Sequence, residues 1–200
     1  MISITAVVEG MSDEGAVKSI LNECGFSVGM FQGRSGCAEI IKKLPAYNNA
    51  AKFSPWFVLL DLDSVDLCVV DKVQKWMPRP SELMIFRVAV AELESWLLAD
   101  SEAIADFLGV SRAKIPFDPD ALADPKQELV NLARRSRKRD IREGLVPRPR
   151  SGTSVGPTYV SDIREFGQTR WRPRIAAHNS PSLRRCLNRL DELADRLNSG

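Results

Sequence analysis

The run Trp56-Phe57-Val58-Leu59-Leu60 constrains this chain more than any other stretch: large apolar residues in unbroken succession, ended by Asp61-Leu62-Asp63. Such an aromatic and branched run reads as a strand buried on both faces, the kind that parallel sheets use. Ligands of open parallel sheets bind just beyond the carboxyl ends of the strands, where Asp61 and Asp63 would stand. Residues i and i+2 of an extended segment point to the same side. Two carboxylates pointing together repel unless a cation lies between them. The hard, oxygen-preferring cation that suits such a pair is magnesium. The alternative at this point is a strand-ending loop with solvated acids.

Other segments fit around that strand. Ile2–Val8 is apolar and branched and reads as a first buried strand, ended by Glu9-Gly10. Ser12 can cap a following helix whose stripe is Ala16, Val17, Ile20 and Leu21, with Asp13 and Glu14 at its positive end and Cys24-Gly25 closing it. Phe26–Phe31 reads as a short strand, and Cys37, Ile40, Ile41 and Leu44 as a second helix ending before Pro45. Asp66–Trp76 is expected to be a third helix, and Leu83–Val90 a fourth strand running into Glu92-Leu93-Glu94. Strand and helix alternate, which predicts an α/β fold with a mostly parallel sheet flanked by helices.

Beyond Ser101 the pattern becomes helical and basic. Ser101–Leu108 with Gly109 as a stop, a helix opening at Asp124-Pro125-Lys126, another over Tyr159–Phe166, and a last one capped by Ser180-Pro181 all carry helical spacing or end signals. Ser151–Gly156 reads as a flexible loop, and Trp171–Ala177 fits no element clearly. The expected organisation is an α/β metal-binding domain over residues 1–100 and a basic, mainly helical extension over 101–200 packed on it.

Bulk properties narrow the classes. With 44% hydrophobic and 27% charged residues the chain is ordinary for a soluble globular protein. No apolar run approaches the ~20 residues a membrane span needs. The first residues read as a strand and not as a signal peptide, and the four scattered cysteines without a CxxC pair suit reduced thiols, so a cytoplasmic setting without membrane attachment is expected. One histidine and no CxxC argue against structural zinc. The net charge of +2 hides an asymmetry: residues 1–100 carry 9 basic and 13 acidic side chains, and residues 101–200 carry 19 and 13. An acidic half that could hold metal, beside a basic half, suits a phosphate-bearing polyanion. Solvated surface charge is the alternative.

The acids fall in a pattern. Glu9 ends the first strand, Asp61 and Asp63 the third, and Glu92 and Glu94 follow the fourth. If the strands are parallel neighbours, all lie along one edge. Glu9, Asp61, Asp63 and Glu94 are therefore the expected ligands for magnesium or manganese, with Glu92 as a further candidate, and Glu9 could instead serve as a general acid or base. Lys126 could contact a substrate phosphate, or simply cap its helix or pair with an acid. Arg134, Arg135, Arg137, Lys138, Arg139, Arg148 and Arg150 could follow a nucleic-acid backbone, or form a solvated face or a dock for an acidic partner. Trp171, Tyr159 and Phe166 could stack on bases, whereas Trp96, beside Leu97 and Leu98, reads as core. His178 reads as a surface or structural residue. Nothing resembles a Ser–His–Asp arrangement or a GxxxxGK phosphate loop.

Val8-Glu9-Gly10, Asp61-Leu62-Asp63 and the strand–helix order between them resemble the Toprim fold of topoisomerases, primases and OLD-type nucleases over about the first 100 residues. The resemblance implies a Toprim-like, Rossmann-like sheet whose glutamate and DxD pair hold one or two magnesium ions. A wider resemblance is to a bacterial family of uncharacterised Toprim-like proteins. It is carried by Val8-Glu9-Gly10 with Asp13-Glu14, Glu92-Leu93-Glu94-Ser95-Trp96-Leu97-Leu98-Ala99-Asp100, Asp124-Pro125-Lys126, Val155-Gly156-Pro157-Thr158-Tyr159 and Ser182-Leu183-Arg184-Arg185-Cys186. That family often stands beside a gene for an SMC- or ABC-like ATPase. The resemblance thus implies a metal-dependent nuclease or phosphodiesterase acting on DNA or RNA, in a two-component antiviral defence system. The alternative is a non-catalytic subunit that binds nucleic acid or the ATPase through a degenerate site. A homo-oligomer is compatible with either. Topoisomerases add a tyrosine nucleophile from a separate domain; neither Tyr47 nor Tyr159 stands in such a context, so a topoisomerase is not expected.

Overall fold

The computed structural model describes residues 1–61, 69–89 and 92–199; Asp63, Asp66, Cys68 and Val90 lie outside the described residues. Four strands, β1 (Ile2–Val8), β2 (Phe26–Gly33), β3 (Trp56–Asp61) and β4 (Met84–Ala89), form one sheet in the order β2-β1-β3-β4. All three pairings are parallel, with Val7 opposite Val58 and Asp61 opposite Ala89. The helices between them are α1 (Asp13–Glu23), α2 (Cys37–Ala50) and α3 (Val69–Trp76). The α/β class with a parallel sheet and a helical C-terminal region is as the sequence predicts.

Period-two alternation divides the strands between two cores. Ile4, Ala6 and Val8 of β1, Phe57 and Leu59 of β3, and Ile85 and Ala89 of β4 enter one cluster with α1 and the C-terminal helices. Val7, Val58, Leu60, Phe86 and Val88 face the other way, onto Ile40, Leu44 and Tyr47 of α2. Every residue from Trp56 to Leu60 is buried, as a two-sided strand requires.

The order also fixes a switch point. From β1 the chain moves outward to β2, and from β3 it moves outward on the other side to β4. The segments leaving β1 and β3 therefore diverge, and a crevice opens between the carboxyl ends of these two central strands. Glu9 and Asp61 stand at that crevice.

Two local expectations are corrected. Helix α2 does not end before Pro45 but continues to Ala50 with the proline inside it. Pro45 is exposed, so the carbonyl it leaves without a helical partner lies on the water side, while Ile40, Leu44 and Tyr47 anchor the inner face. Ser12 sits at the N-cap of α1 but makes no side-chain cap bond. Its hydroxyl donates instead to Asp13 Oδ1 at 2.9 Å.

The C-terminal helices are α4 (Leu93–Ala99), α5 (Ser101–Leu108), α6 (Pro125–Arg134), α7 (Arg139–Leu145), α8 (Tyr159–Thr169), α9 (Pro173–Ala176) and α10 (Pro181–Asn198). Gly109 takes the left-handed conformation that ends α5 (φ 66°), and Ser180 Oγ accepts from Leu183 N at 3.2 Å to cap α10. Helices α7 and α9 are absent from the sequence expectation because short, arginine-rich segments carry weak periodicity. Leu183, Leu187, Leu190 and Leu193 of α10 enter the same buried cluster as Ile4, Phe57 and Ile85. Helix α8 crosses α1 at backbone contact: a Cβ on Gly15 would stand 1.9 Å from the Arg164 carbonyl oxygen, and one on Gly167 would stand 2.7 Å from Ala16 N. Among the described residues no helix is long and apolar enough to cross a membrane.

Candidate functional site

Two central strands and the segment after β4 deliver carboxylates to the crevice. Glu9 follows β1 directly, and Asp61 is the last residue of β3. The two are linked, since Asp61 N donates to Glu9 Oε1 at 2.7 Å. Asp61 Oδ1 accepts from Leu93 N, the first residue of α4, at 3.1 Å. Glu94, one residue further, is buried, and its Oε1 accepts from the Tyr159 hydroxyl at 2.9 Å. Glu92 holds the start of α6: its Oε2 accepts from Lys126 N at 2.8 Å and its Oε1 from Lys126 Nζ at 3.0 Å. Lys126 Nζ also lies 3.6 Å from Glu94 Oε1. The sequence thus folds three strand ends and the starts of α4 and α6 onto one spot.

Asp13, at the start of α1, joins this group. It accepts from Gly10 N at 2.8 Å and from the Ser12 hydroxyl. Asp13 was not among the ligands expected from the sequence; the signal was its place at the head of the helix that follows Glu9-Gly10. Tyr159 was also misread. It is buried, so it cannot stack on a base, and its hydroxyl instead positions Glu94. Phe166 and Trp171 are likewise buried, with Trp171 Nε1 donating to the Trp96 carbonyl at 3.2 Å, so neither is a stacking platform. These aromatics pack where α8 and α9 meet α4 and α5, a contact that residue type alone does not reveal.

Electrostatics bind the group into one unit. Burial raises the Asp61 pKa well above the usual aspartate value, and the Asp13, Glu94 and Glu9 carboxylates push it further. Burial also raises Asp13, against the bonds from Gly10 and Ser12. Glu94 is raised by burial although Lys126 pulls it down. The Lys126 pKa is lowered by burial, but Glu94, Glu92 and Asp61 more than reverse this, so the ammonium stays charged. Carboxylates crowded in a sheltered crevice have an electrostatic demand for positive charge that one ammonium meets only in part.

The donor set fits a hard divalent cation in its chemistry: Glu9, Asp61 and Glu94 offer carboxylate oxygens, with no sulfur or imidazole. Both Glu92 oxygens are engaged by Lys126, so Glu92 positions the lysine. Among the described residues no group of three acidic, histidine or cysteine side chains is already placed to hold a metal ion. Asp63, the second acid of the expected pair, lies outside the described residues.

The basic segment begins near this crevice. Arg134 lies on the same helix as Lys126, about 12 Å further along its axis. Arg134, Arg135, Arg137, Arg139, Arg148 and Arg150 are all exposed. Lys138 is spent on structure, its Nζ donating to the Asp106 carbonyl at 2.7 Å at the end of α5. Arg139 pairs with Glu143 one turn on at 2.7 Å. His178 is exposed, and Cys24, Cys37 and Cys186 form no disulfide. Comparison with protein-family models, with curated proteins and with solved structures finds no match to this chain.

Proposed function

We propose that this chain is a magnesium- or manganese-dependent nuclease or phosphodiesterase of the Toprim-like kind, acting on DNA or RNA. The observation that carries the reading is the linked carboxylate group at the switch point of the sheet, where Asp61 bonds to both Glu9 and the start of α4. A divalent ion held by Glu9, Asp61, Glu94 and Asp63 would lower the pKa of a bound water and offset charge on a phosphate. The chain's own groups divide the remaining work. Glu92 and Tyr159 fix Lys126 and Glu94 in place, Lys126 presents an ammonium to the substrate phosphate, and the exposed arginines that begin at Arg134 follow the backbone of a polyanion. The resemblance described above adds the setting: the effector subunit of a two-component antiviral system with an SMC- or ABC-like ATPase, in the cytoplasm of a bacterium.

One observation favours a second reading. Lys126 already bonds Glu92 and approaches Glu94, so part of the carboxylate charge is met from within the chain. A non-catalytic subunit that binds nucleic acid or the ATPase through a degenerate site would need no more than this. DNA and RNA incubated with the protein in magnesium or manganese, beside the Asp61→Ala/Asp63→Ala variant and with and without the ATPase, separate the two. Cleavage by the native protein and none by the variant is expected. Equal cleavage by both removes the carboxylates from the chemistry, and cleavage by neither in any mixture favours the second reading.

A further inference from the structure

Away from the carboxylates, β4 forms one edge of the sheet, and a cavity of about 780 Å³ lies between it, α3 and α10. That volume is within the ~300–1,000 Å³ of typical small-molecule sites. Its walls carry Arg87 from β4 and Arg185 and Arg189 from α10, against a single acid, Glu192. Glu192 is already paired with Arg189. Arg87 is the unusual member. Its Nη1 donates to the neighbouring Phe86 carbonyl at 3.2 Å, but its Nε is buried and has no hydrogen-bond partner among the described residues.

A guanidinium remains protonated in proteins, so a buried N–H without an acceptor is a standing cost to the fold. Burial lowers the Arg87 pKa, and Arg189 and Arg185 add like-charge repulsion. Three guanidiniums lining one cavity with a single acid are suited to a phosphate or carboxylate. The remaining wall is of two kinds. Val73, Met77 and Phe86 supply an apolar surface, and Gln74 and Asn188 supply exposed side-chain amides. A flat, nitrogen-rich ring would satisfy both, its face on the apolar surface and its edge on the amides.

We propose that this cavity binds a nucleoside phosphate, with its terminal phosphate held by Arg87, Arg185 and Arg189 and the base lying against Val73, Met77 and Phe86. The phosphate can belong to a free nucleotide or to the 5′ end of a strand, since the recognised chemistry is the same. The site is separate from the carboxylate crevice and does not depend on cleavage there.

The test is thermal shift and calorimetry on the whole chain with four probes: ADP, a short 5′-phosphorylated oligonucleotide, the same oligonucleotide without the phosphate, and inorganic phosphate. Two variants accompany it, Arg87→Met and the exposed pair Arg185→Ala/Arg189→Ala, the latter safe for folding. ADP or the phosphorylated oligonucleotide should bind, and each variant should bind about tenfold to hundredfold more weakly, the loss expected for a charged hydrogen bond. Binding by ADP alone identifies a free nucleotide, and binding by the phosphorylated oligonucleotide alone identifies a strand end. Arg87→Met should melt no lower than the native protein without ligand, because it removes a buried unpaired donor. The proposal is overturned if neither phosphorylated probe binds, or if the unphosphorylated oligonucleotide or inorganic phosphate binds as tightly. It is also overturned if both variants bind like the native chain.

Discussion

Two buried glutamates in this molecule are treated in opposite ways. Glu14, on α1, faces two guanidiniums: Arg34 at 2.5 Å on one oxygen and Arg164 at 2.9 Å on the other. Glu94, on α4, shares the single ammonium of Lys126 with Asp13, Asp61 and Glu92. Both glutamates are 2–3% exposed, so solvent relieves neither. The chain has arginines to spare, yet it supplies two to Glu14 and none, among the described residues, to Glu94. A structural carboxylate is matched from within the chain. Carboxylates crowded beyond their internal partners, at the switch point of a parallel sheet, are what a site for an external cation requires.

The largest expected effect breaks the first arrangement through the backbone. Gly15→Ala would drive a methyl group into the Arg164 carbonyl, forcing α8 and Arg164 away from Glu14. Denaturant unfolding should show a loss of about 3 kcal/mol or more, in the range of overpacked and strained sites. Lys126→Met attacks the second arrangement, leaving Glu94 buried with its negative neighbours. Removing one partner of a buried pair costs about 3–5 kcal/mol, and because Lys126 is 34% exposed roughly 2–3 kcal/mol is expected in metal-free buffer. Added magnesium should recover part of that loss.

A sharper contrast comes from the same chemical change at the two places. Glu14→Gln should destabilise by about 1–2 kcal/mol, a modest figure because Arg34 and Arg164 are about half exposed and water screens them. Asp61→Asn should instead stabilise the metal-free protein by about 1 kcal/mol at neutral pH, since it removes a repelled charge yet keeps the oxygen that accepts from Leu93. The pH dependence follows in sign. Asp13, Asp61 and Glu94 have raised pKa values in the folded state. Their contribution is present below the ordinary carboxylate range and is lost as pH rises through the raised values. Melting temperature should therefore fall across that window in metal-free buffer, and Asp61→Asn should flatten the fall. An unchanged slope would detach Asp61 from the group.

Much of this was readable from residues. The apolar run at Trp56–Leu60 required a two-sided strand, and the strand–helix alternation required parallel neighbours. Glu9, Asp61 and Glu94 were expected near one another because each stands at or beyond a strand end, and the structure brings them together. Asp13 and the role of Tyr159 were not, for a physical reason. Asp13 enters the group through the turn at Gly10, and Tyr159 reaches Glu94 across 65 positions of sequence. Neither spacing leaves a periodic trace. Pro45 misled because a proline ends a helix only when the freed carbonyl lacks water and packing is weak, and here both conditions favour continuation. The cavity beside β4 was invisible for the same reason as Tyr159: its arginines come from a strand and a helix about 100 residues apart.

Whether the carboxylates at the switch point take up a divalent ion is the question on which the account turns. Calorimetric titration with manganese, on the native chain and on Asp61→Asn, answers it most directly. Saturable uptake by the native protein, displaced by magnesium, is expected, with binding at least about tenfold weaker in a variant that remains folded. No uptake by the native protein, or equal uptake by both, would contradict it.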